Sequence, residues 1–146
     1  MANLAPLIRL RKHTVDQKQK VLSNFYRQAE VLEDEKQTAL DTLARERAVL
    51  EEQTELGDAH ALFGRFAEGI KKKVEALDRQ LADLEKRIEI ARTDLREAFS
   101  ELKKIEITAD NRAKEAKREA DLKERKELDE IAIETYRRQQ ADDENA

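Results

Sequence analysis

The side chains that could do chemistry are few in kind and poorly spaced for it. His13 and His60 are the two histidines, and cysteine is absent. A metal centre needs three or four converging nitrogen, sulfur or oxygen ligands. These histidines fall on different helices, one near the open end and one at the turn. Without cysteine there is no thiol nucleophile and no disulfide, which suits a reducing compartment. Paired carboxylates abound, but 33 Asp+Glu and 29 Lys+Arg in 146 residues generate such pairs on any solvated helix face. No glycine-rich loop could cradle a phosphate. The expected reading is a non-enzyme with no cofactor and no metal. What is left is charge: the basic runs Arg9-Leu10-Arg11-Lys12-His13, Lys71-Lys72-Lys73 and Arg137-Arg138, and the acidic Asp142-Asp143-Glu144. In a chain that is 42% charged, such runs are ordinarily solvated faces. A net charge of −4 and 4% aromatic residues argue against nucleic acid as the partner.

The elements that position these groups follow from composition and punctuation. A chain built largely of Ala, Glu, Lys, Leu and Arg points to long helices or a coiled coil. Its one proline, Pro6, sits in a first helical turn, where a missing N–H costs little. Asn3 could cap that turn. Gly57, Gly64 and Gly69 are the three glycines and fall close together. The expected organisation is a single domain over 1–146, with a helix at about 4–52, a turn at about 53–58 and a helix at about 59–140. Residues 141–146 are expected to form a disordered tail. Gly57 would stop the first helix and Asp58 would cap the second. No apolar run approaches the roughly 18–20 residues that span a bilayer. The opening residues lack the pattern of a signal peptide.

Hydrophobic periodicity then decides the fold. In steps of four and three, Phe63, Ala67, Ile70, Val74, Leu77, Leu81, Leu84, Ile88, Ala91, Leu95, Ala98, Leu102, Ile105 and Ala109 are all apolar. A repeat of 3.5 residues held this long demands a partner helix. The first helix offers Ile8, Val15, Leu22, Ala29, Lys36, Leu43 and Leu50, with a weaker companion series of Leu4, Arg11, Lys18, Phe25, Leu32, Ala39 and Glu46. Arg and Lys stems can cover such a seam while their charges reach water. Folding at Gly57 sets Leu4 opposite about Ala109, so the seam of the second helix ends where the first helix runs out. The fold class is therefore all-α: an antiparallel two-helix coiled-coil hairpin, a monomer, with a longer second helix overhanging at the open end. A parallel homodimer would not explain where the seam stops.

The overhang, about residues 110–140, carries nine basic and nine acidic residues. The acid-first pairs Asp110–Lys114, Glu119–Lys123 and Asp121–Arg125 could hold a lone helix. Leu128, Ile131, Ala132, Ile133 and Tyr136 then form an apolar cluster without an internal partner, which points to an external one. Phe63 and Phe66 flank Gly64 near the turn; the first belongs to the seam.

The ordered blocks Leu7-Ile8-Arg9-Leu10-Arg11-Lys12, Ala98-Phe99-Ser100-Glu101-Leu102-Lys103-Lys104 and Glu127-Leu128-Asp129-Glu130 resemble the flagellar export protein FliJ family in its alphaproteobacterial form. Gln17 and Ser100 stand where that pattern would carry an acid. The resemblance implies a cytoplasmic component of the flagellar type III export apparatus, peripheral at the inner membrane, shaped like the central stalk of rotary ATPases. It implies insertion of the open end into a hexameric export ATPase, with activation of hydrolysis. It also implies contact with a membrane export gate toward the turn, and with export chaperones. On this sequence the implied ring contacts are Arg9, Arg11, Lys12, Arg118, Arg125, Asp129 and Arg137. The implied gate contacts are Phe63, Phe66 and Lys73. An injectisome-type stalk, a chaperone escort for export substrates and a structural homodimeric rod are the alternatives. A chaperone would need apolar surface along the rod, where this sequence places charge.

Overall fold

The computed structural model describes residues 3–52 and 57–145. Two helices account for them, α1 (Ala5–Glu52) and α2 (Gly57–Glu144), and no strand occurs among the described residues. Of the expected turn at about 53–58, residues 53–56 lie outside those described. By internal contacts the chain divides into two units, Leu10–Ser100 and Met1–Arg9 with Glu101–Ala146.

In the unit of residues 10–100 the two helices run antiparallel, as three cross-helix contacts show. The Arg47 guanidinium lies 5.9 Å from the centre of the Phe63 ring. Lys36 Nζ meets Asp78 Oδ1 at 2.8 Å. Arg92 Nε donates to Tyr26 Oη at 2.8 Å, and its guanidinium lies 5.7 Å from the centre of that ring. Residue numbers fall along α1 as they rise along α2. The core of this unit is Val15, Ala39, Leu77, Leu84, Ile88 and Ala91. Every position of the four–three series in α2 from Phe63 to Ala98 is buried or half-buried. The physical cause is the period: a 3.5-residue spacing keeps one stripe on the partner helix over many turns.

The imperfect seam of α1 is filled with polar stems. Arg11, Lys18 and Lys36 are half-buried, whereas Glu46 is exposed. The longer cationic side chains lie along apolar surface; the shorter glutamate turns out to water. Lys36 finds Asp78, and its ammonium is held above its usual pKa by that hydrogen bond and charge. Arg11 is less well served, since its Nε is buried without a hydrogen-bond partner. An unsatisfied buried donor costs about 1–3 kcal/mol. Arg11→Leu should therefore raise stability by about 1–2 kcal/mol, read as a higher urea midpoint at unchanged slope. A lower midpoint would show that the exposed part of this guanidinium contributes more than its buried nitrogen costs.

In the second unit, Asn3 Oδ1 accepts from the Ala5 amide at 3.1 Å, so the expected capping residue does engage the start of α1. Leu4, Ala5 and Ile8 line an open groove with Ala109, Arg112, Ala113 and Ala116, which sets Leu4 beside Ala109 as the folding register requires. Leu102 is buried, and Ile105 and Ala109 are half-buried. From residue 117 to 145 every residue is exposed. Asp110–Lys114 closes at 3.1 Å and Glu134–Arg138 at 3.0 Å, local pairs of the kind that support a lone helix.

Two boundaries differ from the sequence reading. Gly57 does not stop α1 and Asp58 does not precede α2; they are the first two residues of α2. Gly57 has no positive φ, so it does not adopt the left-handed conformation of a helix-ending glycine. Asp58 instead places a carboxylate in the first turn, where it favours the positive end of the helix dipole. At the far end the helix does not stop near 140. It continues through Glu144, and the Asn145 amide still reaches the Ala141 carbonyl at 3.2 Å. Gln139, Gln140 and Ala141 are good helix formers and no glycine or proline interrupts them.

Candidate partner-binding surfaces

Two surfaces stand out among the described residues, one in each unit. In the unit of residues 10–100, apolar side chains near the end of α1 and the start of α2 form an open groove. It is lined by Glu46, Val49 and Leu50 of α1 and by Ala59, Leu62, Phe63 and Phe66 of α2. Phe63 belongs to the seam and is half-buried, while Phe66 lies outside it and is exposed. Leu62 is 65% exposed and Val49 49% exposed. The structure thus brings Phe63 and Phe66 together. Lys73 is exposed and does not line this groove. Leu62 and Val49 were not singled out by sequence reasoning. The signal was available, for both are apolar residues that fall outside the four–three series.

In the second unit the surface is the exposed part of α2. Arg118 and Arg125 share a shallow face with Lys114, Lys117, Asp121 and Leu122. Asp129 and Arg137 lie farther along the same helix, both exposed. Leu122, Leu128, Ile131, Ile133 and Tyr136 are exposed large apolar residues of this stretch. Arg9 is exposed in the same unit. Arg11 and Lys12 belong to the other unit; Lys12 is exposed, and Arg11 sits in the seam. Of the seven cations and anions expected to meet a partner, Arg11 alone is largely committed to packing.

Arg92 is held above its usual pKa chiefly by its hydrogen bond to Tyr26. Among the described residues no three or more His, Cys, Asp or Glu side chains gather where they could hold a metal ion. Among the described residues, too, no helix is long and apolar enough to cross a membrane. The chemistry on offer is association: apolar contact near one end of α2, and mixed charge with scattered apolar side chains toward the other.

These features define an all-α, antiparallel coiled-coil hairpin. The profile of the flagellar FliJ protein family matches residues 1–141. The chain belongs to that family, and so is a component of the flagellar export apparatus, a family without enzymatic activity of its own. No curated protein and no solved structure matches the chain at a significant level.

Proposed function

We propose that this chain is the stalk of the flagellar export ATPase. The open end, meaning the first turns of α1 and the exposed part of α2, seats in the hexameric ring and promotes ATP hydrolysis. The last turn of α1 and the first turns of α2 contact the membrane export gate. Arg9, Lys12, Arg118, Arg125, Asp129 and Arg137 are the ring-facing groups, and Phe63, Phe66 and Lys73 the gate-facing ones. Export chaperones are further partners, and the chain works in the cytoplasm at the inner membrane.

The observation that supports this most is the exposure of every residue from 117 to 145, mixed in charge and dotted with large apolar side chains. A helix in that state lacks the partner that its apolar residues call for. Exposed ion pairs are individually weak and screened by salt. Such contacts suit a stalk that must pass between equivalent positions in a ring, where a tight apolar plug would lock. The groove near Phe66 is apolar instead, which suits a steadier attachment.

The test is ATP hydrolysis by the cognate export ATPase with and without the chain, at low and moderate salt. Stimulation should fall as salt rises, on the scale set by a Debye length of about 10 Å at 0.1 M. Arg9→Glu with Lys12→Glu should reduce stimulation several-fold, on the order of 1 kcal/mol of lost attraction, and leave helicity intact because both residues are exposed. Full stimulation by the double variant would remove the start of α1 from the ring contact.

A further inference from the structure

The exposed part of α2 is polarised in charge. Residues 117–126 carry five basic and three acidic side chains, whereas 127–144 carry two basic and seven acidic. A helix with a positive half followed by a negative half is complementary to its own reverse. We infer that this segment docks on a second copy of itself, antiparallel, to form a two-fold dimer of hairpins.

A specific register supports the pairing. In steps of four and three, Arg118, Leu122, Arg125, Asp129, Ala132 and Tyr136 share one helix face. Reversing that face onto a second copy sets Arg118 opposite Tyr136, Leu122 opposite Ala132 and Arg125 opposite Asp129. Each layer occurs twice about the two-fold axis, as an isologous interface requires. The layers match position a of one helix with position d of the other, the alternation by which knobs enter holes in an antiparallel pair. Each layer also has its own attraction: a cation over an aromatic ring, an apolar contact, and a charge-assisted hydrogen bond. Leu128 flanks this face beside the axis, close to its own copy. A parallel arrangement would stack basic half on basic half, so the charge pattern selects the antiparallel one.

The state of these charges in the single chain points the same way. Among the described residues, Arg118, Arg125 and Asp129 close no ion pair, although Lys114 and Arg138 on the same helix do. Tyr136 is 61% exposed, and its hydroxyl accepts from Gln140 Nε2 at 3.1 Å, leaving the ring face open. The hairpin itself needs no second copy, since its seam is filled from within. The inference stands apart from the ring reading, because it concerns what the chain does alone in solution.

Sedimentation of the full chain tests it, over about 5 to 500 µM, the range in which a small polar interface equilibrates. The expected result is a dimer in exchange with monomer, with a Kd on the order of 10–100 µM that weakens as salt rises. Arg125→Glu and Asp129→Arg should each weaken dimerisation about tenfold, with helicity unchanged because both sites are exposed. An equimolar mixture of the two variants should regain wild-type affinity. In the mixed pair the introduced Glu faces the introduced Arg in one layer, and the native Arg125–Asp129 pair survives in the other. A chain that stays monomeric throughout overturns the inference. So does a dimer that ignores the single substitutions, or a mixture no tighter than its parts.

Discussion

Leu84→Lys should abolish cooperative melting of the unit formed by residues 10–100. Leu84 is 5% exposed and lies between Leu77 on one side and Ile88 and Ala91 on the other, all buried. Removing a buried leucine forfeits about 2–5 kcal/mol with its cavity. Forcing an ammonium into the same place adds the cost of an unpaired buried charge, which the side chain can reduce only by breaking the seam. Stabilities of small domains run about 5–15 kcal/mol, and this unit has a thin core of two helices. The loss is thus comparable to the whole. The measurement is the thermal transition by circular dichroism, with Ile90→Lys as control. Ile90 is 63% exposed, six residues along the same helix, and its substitution should change stability by no more than about 0.5 kcal/mol. If both variants melted alike, the seam would not be where the four–three series places it.

That contrast also shows how much of the fold the sequence made legible. The series in α2 was readable because fourteen consecutive hits leave no alternative period, and every one of those positions is buried or half-buried. The weaker series in α1 was readable only in outline. Periodicity located Arg11, Lys18 and Lys36 in the seam but carried no information on partners. Lys36 meets Asp78 because antiparallel pairing sets them side by side, while Arg11 Nε meets nothing. The Tyr26–Arg92 contact was illegible. Its residues are 66 apart in sequence, Tyr26 belongs to neither series, and both side chains reach across the seam from outside.

The two helix ends depart from the sequence pattern for different physical reasons. Glycine is favoured just past a helix, which is what makes Gly57 look like the end of α1. That preference depends on a positive φ, which the residue does not have here. A run of like charges such as Asp142-Asp143-Glu144 points to a disordered tail, because like charges repel and solvate. Asp142, Asp143 and Glu144 instead lie exposed on the last turn of α2. The binding surfaces were legible as charge and as unpartnered apolar residues, not as roles. A catalytic site is marked by residue types at a fixed spacing. A surface made of arginines and leucines on a helix uses the same residues as any solvated face, so Leu62 and Leu122 are told from the seam leucines by their place outside the four–three series and by their exposure, not by residue type.

Removing residues 117–145 should abolish stimulation of the export ATPase while leaving the hairpin folded. The two expectations come from one observation. None of these residues is buried or half-buried, so none supplies packing to the seam. The groove that holds Leu4 and Ile8 reaches only as far as Ala116. The thermal midpoint of the hairpin should therefore move by no more than a few degrees, the equivalent of under about 1 kcal/mol. Helicity should fall by the share of α2 removed. Stimulation, in contrast, should drop to the ATPase's own rate, because the segment carries Arg118, Arg125, Asp129 and Arg137 and all the exposed apolar side chains beyond residue 116. Arg9 and Lys12 alone offer weak, screened attraction, too little to seat a stalk. If the shortened chain still stimulated hydrolysis in full, the ring contact would lie in the first turns of α1 and the groove beside them. If it failed to fold, the exposed helix would be supporting the hairpin through a cooperativity that its lack of burial does not predict.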